Sequence, residues 1–236
     1  MILVSIIIPV FNEEKNIGKL LERIIQINAN SNKFSKEIIV INDGSTDKSK
    51  EIIQKFQKVI LINQENFGKG KAVQTGIKQA RGEFIIIQDG DLEYDPNDII
   101  KMIDNVQINK KMSVYGSRYK PFYLNLIPKF YRKQNISSYI ANIIFVLQFL
   151  LLYQRFISDP LTGYKLYPKK FFEDNKINSN GFEADHEISA KLIKQNYKII
   201  EVPIQYIPRT KAEGKKINFM DALKAFITII RYRFTN

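Results

Sequence analysis

The chain opens on Leu3-Val4-Ser5-Ile6-Ile7-Ile8-Pro9, a near-continuous apolar run. Runs without polar alternation suit a parallel strand covered on both faces. After polar Asn12, Glu13 and Glu14, the residues Ile17, Leu20, Leu21, Ile24 and Ile25 fall at helical spacing. That predicts a helix capped by Asn12 with two acids in its first turn. The pattern then repeats: strand Glu37 to Ile41, helix Ser45 to Phe56, strand Val59 to Ile62, helix Lys71 to Ala80, strand Phe84 to Gln88, helix Pro96 to Val106, strand Met112 to Tyr115. Strands alternating with single helices over about 115 residues imply right-handed βαβ crossovers and a mostly parallel α/β sheet. Ligands of such sheets gather at the carboxyl ends of the strands. Three polar, acidic loops sit there: Pro9-Val-Phe-Asn-Glu13, Asn42-Asp-Gly-Ser-Thr-Asp47 and Gln88-Asp-Gly-Asp-Leu-Glu93.

Past residue 118 the alternation stops. Asn135 to Gln154 runs 20 residues without a charge, 14 of them apolar, but Asn142, Gln148 and two serines dilute it. Length alone fits a membrane span; the dilution and the lack of a second span favour an interfacial or packed helix. An amphipathic helix from Asp185 to Gln195, a strand pair around Val202-Pro203-Ile204 and a helix from Phe219 to Arg233 follow. Nothing resembling a linker divides the 236 residues, so one domain is expected, with residues 1–118 and 119–236 as unlike halves.

Charge separates those halves. The chain carries 36 Lys/Arg and 24 Asp/Glu, a net 36 − 24 = +12. Residues 1–118 hold 17 and 15 of these, for +2, and residues 119–236 hold 19 and 9, for +10. A basic half points to an anionic partner: nucleic acid, a membrane surface or a phosphorylated substrate. No nucleic-acid-binding signature accompanies it, and none is expected as a partner. Zero cysteines exclude disulfides, thiolate metal sites and cysteine nucleophiles, and the single His186 argues against a multi-histidine metal site or a Ser-His-Asp triad. Carboxylates and cations must carry the chemistry. Met1 leads straight into a β-branched run with no basic n-region or cleavage site, which predicts a cytosolic protein.

Asp89-Gly90-Asp91 places two carboxylates on a tight turn after an apolar strand, with Glu93 two residues on. Hard divalent cations want such oxygen clusters, although acidic turns are also common at solvated surfaces. Asp43-Gly44-Ser45 reads either as a helix-capping turn or as a carboxylate that accepts from a nucleotide base. Asn66-Phe67-Gly68-Lys69-Gly70-Lys71 suggests a loop near phosphates, but the P-loop and dinucleotide spacings are missing.

Taken together, Ser5 to Glu14, Val40 to Asp47, Asn66 to Gly70, Gln88 to Leu92 and Tyr115 to Tyr119 resemble the family 2 glycosyltransferases. Asp159-Pro-Leu-Thr-Gly-Tyr-Lys165, Gly181 to Ile188 and Arg209 to Lys216 are similar to the branch that makes dolichyl- or polyprenyl-phosphate sugars. The resemblance implies the GT-A fold, a Rossmann-like, mostly parallel sheet flanked by helices, with a C-terminal acceptor and membrane-interface region. It implies Pro9, Phe11, Glu13, Asp43, Lys71, Asp89, Gly90 and Asp91 around a UDP- or GDP-sugar, and Mg²⁺ or Mn²⁺ on Asp89, Asp91 and Glu93. Arg118, Arg132, Ser138, Arg209, Lys215 and Lys216 are expected to meet the acceptor and the phosphates. Asn42 stands where many members have a first aspartate, and Gln134 where the branch has an arginine, so Arg132 or Lys133 must substitute.

The implied reaction is inverting transfer to a membrane lipid acceptor. A polyprenyl phosphate oxygen is already anionic, so no base is needed; a hydroxyl acceptor, the alternative, requires one. Asp185 matches the family position for it, which makes Asp91, Asp185 and Arg209 the expected catalytic residues. His186 is expected to be solvent-facing or structural. The apolar segment flanked by Lys129, Arg132, Lys133 and Arg155 then suits the cytoplasmic face of an anionic membrane.

Overall fold

The computed structural model describes residues 2–27, 34–107, 110–119, 136–210, 214, 216 and 218–235. Among them, β1 (Ile2–Val10), β2 (Phe34–Asp43), β3 (Val59–Gln64), β4 (Phe84–Ile87), β5 (Met112–Ser117), β6 (Lys165–Pro168) and β7 (Lys198–Pro203) form one sheet in the order β3-β2-β1-β4-β6-β5-β7. The helices are α1 (Ile17–Gln26), α2 (Ser49–Ile53), α3 (Lys69–Gln79), α4 (Asp98–Asp104), α5 (Ile136–Tyr153), α6 (Lys169–Asp174), α7 (Ala184–Lys194) and α8 (Phe219–Phe234).

The apolar runs behave as two-sided strands. Along β1, Ile6 and Ile8 join Leu20, Leu21 and Ile24 of α1 in one core, while Ile7 joins Ala72 of α3 on the opposite face. Alternation along the strand feeds two cores at once, so no position is left for a polar side chain except Ser5. The Ser5 hydroxyl donates to Glu37 at 2.5 Å. Pairing of β1 with β2 and β4, and of β2 with β3, is parallel as expected.

Several expectations need correction. β6 pairs antiparallel with both β4 and β5 in the middle of the sheet, and four residues are too short for a periodic signal. The expected strand pair near Val202 is one strand, β7, parallel to β5. Asn12 does not cap α1: it sits at φ 51°, a left-handed region asparagine tolerates, and its side chain accepts from Thr46 N at 2.8 Å. The helix expected from Ser45 shrinks to Ser49–Ile53 because the preceding residues bind the β1–α1 loop instead. Ser45 accepts from Asn12 N at 3.0 Å, and Asp47 from Glu14 N at 3.0 Å.

The long apolar segment is α5, packed on α7 and α8. Its polar residues have partners, which explains the dilution: Asn142 donates to the Ser158 carbonyl at 2.9 Å and Gln148 to the Phe226 carbonyl at 2.8 Å. Phe145 and Phe149 are buried, whereas Ile140, Ile144, Leu147 and Leu151 are exposed. α8 starts at a capping box between Asn218 and Asp221 and exposes Phe219, Met220, Leu223, Ile227 and Phe234. No helix among the described residues is long and apolar enough to cross a membrane.

Candidate active site

The loops after β1, β2 and β4 do converge, on a cavity of about 560 Å³ closed from the other side by α5, α7 and α8. Pro9, Phe11, Glu13, Asp43, Asp89, Gly90, Asp91, Glu93, Arg118, Ser138, Asp185, Arg209 and Lys216 all line it. Arg132 and Lys215 lie outside the described residues, as do Lys129 and Lys133. Lys71 is a correction: it lies off the cavity, and its backbone N–H donates to the Asn180 carbonyl at 3.1 Å. Lys69, two residues earlier, lines the cavity.

Acids and cations interlock along the strand ends. Arg209 reaches three carboxylates, with Nη2 2.6 Å from Asp91, Nη1 3.1 Å from Glu13 and Nε 3.2 Å from Glu93. Lys216 adds a contact to Glu13 at 2.8 Å. Lys69 Nζ sits 2.6 Å from Asp89 and 3.7 Å from Asp185, under the ring of Phe182. Burial opposes the Lys69 charge, but Asp89 and Asp185 outweigh it and hold the ammonium well above its ordinary pKa. Burial, with the charges of Asp89 and Glu93, pushes the Asp91 carboxyl up to about 7 against the pull of Arg209.

That surplus of negative charge is the structural test for a cation, and Asp89 and Asp91 pass it as hard oxygen donors. Glu93 is tied down beside them: its Oε2 accepts from the Tyr206 hydroxyl at 2.6 Å, and its Oε1 accepts from Arg209 N at 3.0 Å. It anchors the loop that carries Arg209. No three ligand-type side chains converge on one point among the described residues.

Asp43 is likewise spoken for. Its carboxylate accepts from Gln64 Nε2 at 2.6 Å, Phe67 N at 3.1 Å and Gly68 N at 2.9 Å, three of roughly four acceptor sites. The aspartate therefore shapes the glycine loop that aims Lys69. Glycine is needed twice in that loop. Gly68 has φ 97°, and a Cβ on Gly70 would lie 2.6 Å from the Ser179 carbonyl. Glu187, inside α7, fixes the opposing segment by accepting from Asn178 N at 2.9 Å and Ser179 N at 2.8 Å.

Arg118 lines the cavity and forks onto buried Asp159 through Nε and Nη2, both at 2.7 Å, with Tyr206 stacked on its guanidinium at 4.9 Å. Behind them lies Lys165, fully buried, with the Pro160 carbonyl at 3.3 Å and the Ser189 hydroxyl at 3.5 Å. Lys69, Phe145, Phe182 and His186 are cavity residues that the sequence did not single out as ligands. The glycines around Lys69 were the available signal; the others depend on how α5 and α7 pack.

A family model described as glycosyl transferase family 2 matches residues 5–174. The chain is a family 2 glycosyltransferase. Among relatives of this glycosyltransferase, the dolichol-phosphate mannosyltransferase of Pyrococcus furiosus is 32% identical over 90% of this chain, which spans 58% of that protein's length. The UDP-N-acetylglucosamine–dolichyl-phosphate N-acetylglucosaminyltransferase of Methanococcus voltae is 28% identical, covering 97% of this chain and 95% of that one. Glucosyl-3-phosphoglycerate synthase from Mycobacterium tuberculosis, solved with Mn²⁺, UDP-glucose and glycerol 3-phosphate, matches at a TM-score of 0.73 and 14% identity over 98% of this glycosyltransferase and 80% of that chain. The shared fold is GT-A, as the motifs implied.

Proposed function

We propose that this glycosyltransferase moves a sugar from a nucleoside-diphosphate sugar to a polyprenyl phosphate at a membrane surface. The observation that carries the reading is a cavity that joins an acidic strand edge to walls supplied by α5 and α8. A donor diphosphate belongs at the first end and a lipid headgroup at the second. The activities for which the Pyrococcus and Methanococcus relatives are named support this acceptor class.

Pro9, Phe11, Glu13, Asp43 and Gly90 border the nucleoside. A divalent cation on Asp89 and Asp91, Mg²⁺ or Mn²⁺, would neutralise charge gathering on the leaving diphosphate; the mycobacterial structure with Mn²⁺ supports that choice. Arg209, Lys69 and Lys216 are then the cations that exchange carboxylate partners for phosphate oxygens, with Arg209 suited to bidentate contact. Arg118 and Ser138 face the acceptor. A phosphate acceptor attacks with an oxygen that is already ionised, so Asp185 serves to hold Lys69 and takes up no proton.

The exposed apolar faces of α5 and α8 lie side by side in this reading, on the cytoplasmic surface of the membrane, and the basic second half supports an anionic bilayer. Thermal-shift titration with UDP, GDP and their sugars, with and without Mn²⁺, selects the donor. Labelled sugar from that donor should then appear on citronellyl phosphate and not on citronellol. Asp185→Asn should keep transfer to the phosphate within about tenfold, whereas loss of a general base costs roughly 10²–10⁴-fold. Transfer to citronellol that Asp185→Asn abolishes would instead support the hydroxyl-acceptor reading.

A further inference from the structure

The one histidine of this chain is neither solvent-facing nor held by the protein. His186, in the first turn of α7, is 7% exposed and lines the cavity. Neither Nδ1 nor Nε2 has a hydrogen-bond partner among the described residues, and the Phe182 carbonyl one turn earlier acts on the ring only outside hydrogen-bond geometry. A buried polar group left unpaired is costly. Packing does not call for it either. The ring rests on Phe145 of α5 with centroids 5.2 Å apart, a contact that phenylalanine would make without the polar cost.

Its surroundings say what it is suited to meet. The polar side chains that α5, α7 and α8 present to the cavity are Ser138, Asp185, His186 and Asp221. Asp185 faces Lys69, and Asp221 closes its capping box with Asn218. Ser138 and His186 remain, among Ala141, Phe145 and Ala225. Burial and the ammonium of Lys165, with a smaller push from Lys69, hold the imidazole at a pKa of about 3, so it is neutral and keeps one N–H donor and one bare nitrogen. A positive field that disfavours charge on the ring favours an anion beside it.

We propose that His186 is a specificity-determining residue of the acceptor site, donating an imidazole N–H to a phosphoryl oxygen of the prenyl phosphate beside Ser138. The assignment rests on the polyprenyl-phosphate reading above. It goes further by naming the side chain that distinguishes a phosphate from a hydroxyl.

A single histidine makes the test direct. In ¹⁵N-histidine-labelled full-length protein, citronellyl phosphate should shift the ring-nitrogen signals saturably, and citronellol should not. His186→Phe should raise the KM for citronellyl phosphate about tenfold or more with the donor KM unchanged, and His186→Gln, which keeps an N–H, should recover part of the loss. Thermal-shift titration of the wild type keeps the two readings apart. Saturable binding of citronellyl phosphate with unmoved His186 signals overturns this assignment and leaves the acceptor class standing; no binding at all overturns both. A ring that titrates near 6.5 in the free protein also overturns it.

Discussion

At the scale of residues, the acids of the site are partly neutralised by the chain's own cations. Lys69 covers Asp89, and Arg209 spans Glu13, Asp91 and Glu93, so a diphosphate with its metal must redistribute these pairs rather than enter an empty acidic cup. Lys69→Met should therefore slow transfer by about 10–100-fold, the worth of one or two charge-assisted contacts. Lys71→Met should leave steady-state rates within about twofold, because its side chain stands off the cavity. Equal losses in both variants would return the role to Lys71.

Lys165 gives a pH-dependent prediction. Burial lowers its pKa from 10.5 to about 8, against the pull of Asp185 and Asp159. Between those values the unfolded chain holds the proton better than the folded one, so stability rises with pH through this window. Below about 8 the buried charge weighs fully on the fold. Lys165→Met should accordingly be more stable than wild type by on the order of 1–3 kcal/mol near neutrality, with the gap narrowing at pH 9.5. Paired denaturant melts at the two pH values measure it, and a gap that widens with pH contradicts the assignment.

At the scale of elements, α5 is a helix with two employers. Its inner face, Phe145 and Phe149, builds the core with Tyr115 and Tyr167, while its outer face leaves Leu151 78% exposed. Phe149→Ala should cost about 3–5 kcal/mol by opening a cavity in that core. The triple change of Ile140, Ile144 and Leu151 to serine should leave the melting temperature within a few degrees and weaken sedimentation with anionic vesicles. Unchanged vesicle binding would leave the exposed face without a membrane role.

At the scale of the whole molecule, the basic charge and the exposed apolar helix faces fall in the same half of the chain. The +10 of residues 119–236 belongs to the half that carries α5 and α8. Electrostatic attraction should show in salt: affinity for vesicles rich in anionic lipid should fall by about tenfold between low and high ionic strength as the Debye length shrinks. Apolar insertion alone would give a nearly flat salt profile.

The α/β class, the parallel β1 to β4 array, the three converging loops and the family were legible along the chain, because apolar period and motif spacing are local properties. Asp89, Asp91, Asp185 and Arg209, named from the family resemblance, line one cavity. Local pattern carries no information about partners far apart in sequence, and the contacts that hold the site's side chains were not legible there. Glu93 is held by Tyr206 and Arg209, 113 and 116 residues away, and Arg118 by Asp159, 41 away. β6 takes its place only once its neighbours exist, and which lysine of the glycine loop lines the cavity is decided where that loop meets Asn180. A histidine between two acids reads as solvent-facing or structural in a string of letters. Only the packing of α5 against α7 buries it beside the site, because burial and field are sums over everything a side chain touches.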